Sequence, residues 1–359
     1  MPLAGVEGHG KILASTAQLV SRISGGFQSC VSQRPAYMLR VMKGFYTQGI
    51  AVLFNQAPSL DVLAAALALP ILKRMDEATS WELSGPALVV GFRPEVNGLI
   101  AVDVVDRPWP DDMGSPKEAP SLFGAWSMGH FGPFTYPGSL GRACKQAWNW
   151  DGDPLPLIAQ HRAFVRVRLS YVFGAGDEVK LMPTDCDPHA ELGSLVTAAQ
   201  TITRCQGALA YFNPNGEVLM SPGEFAQTLG FAAEHRREPI ETWSNVRLLN
   251  LQGIADGCLL MDTVGLAQLD LPDVEAAFTE NAFDPSEVAW FLRNVSLYIA
   301  GQGDVFEDGH TTDGPGSMKW RAMRFDDGFA DPPRRTVRFF PDIGPTLPDQ
   351  LTTKQPRKS

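Results

Sequence analysis

Between residues 164 and 173, Val165, Val167, Leu169, Tyr171 and Phe173 alternate with Arg166, Arg168 and Ser170. Period two marks a β-strand with one buried face and one more polar face, and a buried face needs a cover. The chain supplies one downstream. Asp187-Pro188 joins a capping acceptor to a proline that suits a first helical position, and Leu192, Leu195, Val196, Ala199 and Ile202 then fall on one face of a helix predicted over 188–204. Strands are predicted over 207–212, 217–220, 245–251 and 258–261, with a turn at Asn213-Pro-Asn-Gly216 and a short helix entered at Ser221-Pro222.

The same alternation of elements runs through the preceding residues. Ile50 to Phe54 reads as a strand and Ser59 to Leu69 as a helix stopped by Pro70. Strands at 87–92 and 99–105 follow, with a turn at Asn97-Gly98, then a helix over Gly138 to Trp150. With the strand at 164 this gives β-α-β-β-α-β, the order of a ferredoxin-like split unit. The predicted class is α+β: two ferredoxin-like split β-α-β units forming mixed or antiparallel sheets with covering helices. Their expected limits are 48–162 and 163–342. A basic helical or flexible extension is expected over 1–47, including a helix from Tyr37 to Phe45, and a disordered tail over 343–359. The clearest helix is entered at Asp284-Pro285-Ser286-Glu287, with Val288, Phe291, Leu292, Val295 and Ile299 as its buried stripe. Val305-Phe306 starts a possible strand, and residues 318–325 and 335–340 give two more.

Charge narrows the partners. The formal net charge is -10, yet residues 1–47 carry five basic residues against one acidic, and residues 332–359 carry six against two. The acidic body between them repels phosphate backbones, so no nucleic acid partner is expected, and an acidic face could steer a basic protein. No apolar run reaches the length of a membrane span, and no signal-peptide core is present at the front, which makes the cytoplasm the expected location. Five separated cysteines, Cys30, Cys144, Cys186, Cys205 and Cys258, lack any C-x-x-C spacing. They predict neither a disulfide framework nor a structural zinc site.

Candidate chemistry is sparse. Asp185, Asp187 and His189, with Cys186 among them, offer metal-ligand types on alternating positions, but Asp187 already has a structural role as a helix cap. Asp304, Glu307, Asp308, His310 and Asp313 form a second polar cluster whose spacing fails the calcium-loop template. Cysteine-histidine catalysis using Cys144 or Cys186 with His130 or His161 has no local signature, G-x-S-x-G is missing, and Gly132, Gly138 and Gly141 do not form a phosphate loop. No cofactor is expected. Arg166 and Arg168, presented on one strand face, could hold a carboxylate or phosphate, and Arg334, Arg335 and Arg338 lie near the last strand. Trp126, Phe131, Phe134, Tyr136, Trp148 and Trp150 occupy a glycine- and proline-broken region, either as anchors of an interface or as a small core beneath a loop.

Several segments stand in order along the chain: Phe164-Val-Arg-Val-Arg-Leu-Ser-Tyr-Val-Phe-Gly174, Ala208-Leu-Ala-Tyr-Phe-Asn-Pro-Asn-Gly-Glu217, Trp243-Ser-Asn-Val-Arg247, Leu260-Met-Asp-Thr-Val-Gly265 and Asp313-Gly-Pro-Gly316. This pattern, over most of residues 35–342, resembles the bacterial family known as domain of unknown function 4261. The resemblance implies a shared scaffold and brings no catalytic roster with it. Arg247, Asn250, Asp262 and Thr263, in or beside these motifs, join Arg166 and Arg168 as ligand-binding candidates. The leading expectation is a soluble binding or accessory protein, an adaptor or immunity-like protein with a bacterial protein partner. The alternative is a small-molecule or metal-binding enzyme or sensor with its pocket between the two α+β units.

Overall fold

A computed structural model describes residues 43–76, 83–176, 181–251, 255–344 and 346–354. The expected N-terminal extension lies outside these residues apart from 43–47, of which Lys43 to Phe45 are irregular rather than helical. Thirteen strands are described: β1 (Gln48–Phe54), β2 (Ile71–Met75), β3 (Ala87–Arg93), β4 (Gly98–Val105), β5 (Ala163–Ser170), β6 (Ala208–Asn213), β7 (Val218–Met220), β8 (Asn245–Asn250), β9 (Cys258–Val264), β10 (Asp273–Thr279), β11 (Thr311–Gly314), β12 (Met318–Phe325) and β13 (Thr336–Pro341). The helices, numbered in order, are α1 (Leu60–Ala66), α2 (Pro120–Ser127), α3 (Ser139–Lys145), α4 (Leu155–Ile158), α5 (Pro188–Ile202), α6 (Pro222–Glu234), α7 (Ile240–Trp243), α8 (Pro285–Gln302) and α9 (Asp349–Thr352).

The class is α+β, with two sheets. One has the order β2-β3-β4-β5-β1-β6-β7 and the other β11-β12-β13-β10-β9-β8. All pairs in the first are antiparallel, whereas the second contains the parallel pair β10–β13. Strand β2 runs parallel to β1 with three strands between them, so the first sheet is wider than a four-stranded split unit. β5 pairs with β4 on one side and β1 on the other. The expected boundary at 162/163 therefore crosses the middle of a sheet, and the change of sheet falls between Met220 and Asn245.

Local sequence explains the helices that position these sheets. Asp187 accepts from the His189 and Ala190 amides and starts α5, while Ser221 and Glu224 form a reciprocal capping box on α6. The apolar stripe of α5 covers β1 and β5, and that of α8 covers the second sheet. One continuous core unites the inner faces of both sheets: Val165, Val167 and Leu169 from β5, Val274, Ala276 and Phe278 from β10, and the buried stripes of α5 and α8. Each fully buried Val, Leu or Phe among them contributes roughly 1.5–3 kcal/mol relative to exposure.

The joint between the sheets is built by close backbone approach. A Cβ at Gly216 or Gly265 would overlap the Trp243 carbonyl. Around it, Gln268 donates to the Trp243 and Gly265 carbonyls, accepts from Asn213, and offers its own carbonyl to Lys43 and Gln48. Beyond the sheets, Leu347 and Leu351 are buried and residues 349–352 are helical, where a disordered tail was expected. Their apolar spacing holds α9 against the outer face of the second sheet. Val305 and Phe306 pack as loop residues, and the strand begins at Thr311.

Candidate functional site

Both faces of β5 are buried, so the face that alternation marks as polar carries buried arginines. Arg166 pairs with Asp103 of β4 in strand register, and Arg168 lies two residues along on the same face. Arg166 donates Nε to both Asp103 oxygens at 3.2 Å and Nη2 to the Leu83 carbonyl at 2.7 Å. Arg168 donates Nη2 to Asp103 at 2.9 Å and Nη1 to the His130 carbonyl at 3.2 Å. Asp103, Arg166 and Arg168 are 3%, 1% and 6% exposed. Burial pushes the Asp103 carboxyl up, but the two guanidinium groups outweigh it and hold the group below the ordinary carboxylate value. Nearby, burial and the same two arginines press His130 down to about 4.

A second charged row crosses the outer face of the other sheet. Arg247, Asp262, Glu275 and Arg338 are register partners along β8-β9-β10-β13. Arg247 grips Asp262 through Nε at 2.9 Å and Nη2 at 2.6 Å, and donates Nη1 to Glu217 at 3.0 Å. Glu217, in the left-handed backbone region at φ 50°, also accepts from Arg142 of α3 at 2.7 Å. Arg334 bonds Asp262 at 2.6 Å and approaches Asp273 at 3.3 Å. Thr263 donates its hydroxyl to Asp273 at 2.8 Å. Arg338 donates to Glu275 at 2.7 Å and stacks over Phe325. Four guanidinium groups thus face four carboxylates.

The structure separates the ligand-binding candidates: Arg166 and Arg168 belong to the first layer, Arg247, Asp262 and Thr263 to the second, and Asn250 lies at the exposed end of β8. Asp103, Glu217, Asp273 and Glu275 were not singled out by sequence. Asp103 was the detectable one, as the only charged residue in the strand Leu99–Val105.

The aromatic candidates divide by burial. Trp126 and Phe131 are core, packed with Trp109 on the outer face of the first sheet. Phe134 and Trp150 are half-buried, whereas Tyr136 and Trp148 are exposed, Trp148 by 52%. Trp148 lines a groove of about 430 Å³ with Cys144, Gln146, Gly152, Asp153, Pro154 and Leu248. In that groove the Gln146 side-chain amide bonds both the N–H and the carbonyl of Leu248 on edge strand β8, at 3.2 and 3.1 Å. Burial raises the Cys144 thiol to about 11, which disfavours the nucleophilic thiolate.

The sequence-level metal candidates have other partners. Asp185 bonds Arg93 at 2.8 Å, Asp187 caps α5, and His189 Nδ1 meets Glu238 at 2.7 Å. In the later cluster Asp304 holds Arg324, Asp308 meets Lys354, His310 accepts from the Glu307 amide, and Asp313 pairs with Lys319. Among the described residues no three His, Cys, Asp or Glu side chains converge as a metal set.

Neither a curated protein nor a solved structure matches the chain. Residues 262–339, from the Asp262 of the second charged row through most of β13, match the family model for a domain of unknown function (DUF4261), the family its ordered motifs resemble.

Proposed function

We propose that this chain is a binding or accessory protein whose contact surface is the cover over the outer face of the first sheet, residues 120–157. The supporting observation is the exposure of large apolar side chains there: Met128, Tyr136, Trp148, Leu155 and Leu157 all face solvent, with Trp148 standing beside the groove at Leu248. Exposed aromatic and aliphatic groups on a well-packed base are suited to anchoring a protein partner. Beneath them Trp109, Trp126 and Phe131 supply that base. The candidate arginines Arg166, Arg168 and Arg247 are tied to protein carboxylates, which favours this reading over a pocket enzyme.

A reducing compartment accords with the free thiols of Cys144, Cys186, Cys205 and Cys258. No helix among the described residues is long and apolar enough to cross a membrane. The test is a photo-crosslinking amino acid placed at Trp148, with Leu72 on the exposed edge strand β2 as the control position. A discrete protein adduct from position 148 and none from 72 is expected in the native host. Equal labelling from both positions, or no adduct from 148, would sink the proposal. Trp126 is unsuitable as a probe because its removal opens the core.

A further inference from the structure

Among the described residues, the charged layer of the first sheet holds two guanidinium groups against one carboxylate. Among the described residues Asp103 is the sole carboxylate bonded to Arg166 and Arg168, so two guanidinium groups share one negative charge. Among the described residues, polar atoms left without a hydrogen-bond partner in this layer include Arg166 Nη1, Arg168 Nε and Trp126 Nε1. All three are donors, and all three residues are more than nine-tenths buried. They lie close together: Arg166 and Trp126 pack on the same Phe131 ring, and Arg168 shares Asp103 with Arg166. The Phe131, Phe164 and Tyr46 faces soften the surplus charge, but a π face is a weaker partner than an anion. A buried charge without a counter-charge is costly, and what three orphaned donors lack is an acceptor.

We propose that the Asp103–Arg166–Arg168 layer binds one small anion, a halide ion or the carboxylate of a small ligand, which supplies the missing negative charge. The guanidinium N–H groups of Arg166 and Arg168 are its donors, with the indole N–H of Trp126 available beside them. The site lies in the buried base beneath the exposed contact residues Met128, Tyr136, Trp148, Leu155 and Leu157, and its failure would leave that contact surface standing.

The experiment follows thermal unfolding of the whole chain at fixed ionic strength. Sodium 2-(N-morpholino)ethanesulfonate, whose anion is too bulky for a buried layer, is replaced stepwise by sodium chloride or sodium formate. A saturable rise in the midpoint of roughly 3 °C is expected. Arg168→Gln, which leaves one guanidinium facing one carboxylate, is expected to show none. A rise with both salts supports a site that reads charge alone, and a rise confined to formate supports a carboxylate ligand. Identical midpoints in all three salts overturn the proposal. So does a rise retained in Arg168→Gln, which would mean adventitious binding elsewhere. Should that variant fail to fold, bromide-soaked crystals of the unmodified protein decide the matter. An anomalous peak within hydrogen-bonding distance of Arg166 Nη1 or Arg168 Nε upholds the site, and no peak there overturns it.

Discussion

The two sheets bury charge in different ways. In the second, Arg142, Arg247, Arg334 and Arg338 face Glu217, Asp262, Asp273 and Glu275, and several of these groups have two opposite partners. In the first, Asp103 is the one carboxylate among the described residues that serves the two guanidinium groups under an aromatic cover. Buried ion pairs add little net stability over apolar packing, yet breaking one is expensive. A balanced row is thus consistent with a joint: it ties α3, the β6–β7 turn and β8 into one register. An unbalanced layer has spare donors and can accept something further.

The largest expected effect comes from Asp103→Asn, which leaves both arginines of the first layer without a carboxylate. A loss of about 4–5 kcal/mol is expected from chemical denaturation, or failure to fold. Asp262→Asn should cost less, about 3 kcal/mol, because Arg247 keeps Glu217 and Arg334 keeps Asp273. An equal or larger loss at Asp262 would break the contrast between the layers. Removing an arginine sharpens it. Arg168→Gln discards the surplus charge and should cost about 1 kcal/mol, whereas Arg247→Gln unbalances the second row and should cost about 3 kcal/mol by the same measurement.

A smaller difference is expected in pH dependence. Folded His130, lowered from 6.5 to about 4, stays neutral over a range in which the unfolded chain takes up a proton. Its contribution is therefore lost as pH falls from about 6.5 towards 4. Glu217 has the opposite sign. Burial outweighs its arginines and raises its folded value above 4.5, so its contribution is present below that value and lost as pH rises through the folded one. His130→Asn should flatten the acid limb of a stability-against-pH curve above pH 4, and an unchanged limb would remove His130 from the account.

The α5 and α8 helices were legible because their caps and stripes are local signals, confirmed at Asp187 and Asp284. Strand β10 was not read, since Asp273 and Glu275 interrupt its apolar residues. A carboxylate in a strand looks like a solvated position until a partner strand places a guanidinium beside it. The same limit applies to the aromatic stretch. Trp126 and Trp148 share a neighbourhood in sequence, and burial alone separates the core residue from the exposed one.

By itself the sequence determined the α+β class, most of the element order and the acidic character of the chain. These follow from periodicity, capping and composition, each set by residues a few positions apart. Tertiary structure alone decided that β5 through β7 complete the first sheet, that Arg166 and Arg168 are buried on a single aspartate, and that Asp262 lies in a balanced row. The reason is physical: the ion-pair partners of the two rows lie 15 to 75 residues apart in the chain, and like strand neighbours they are chosen by which faces can be covered together.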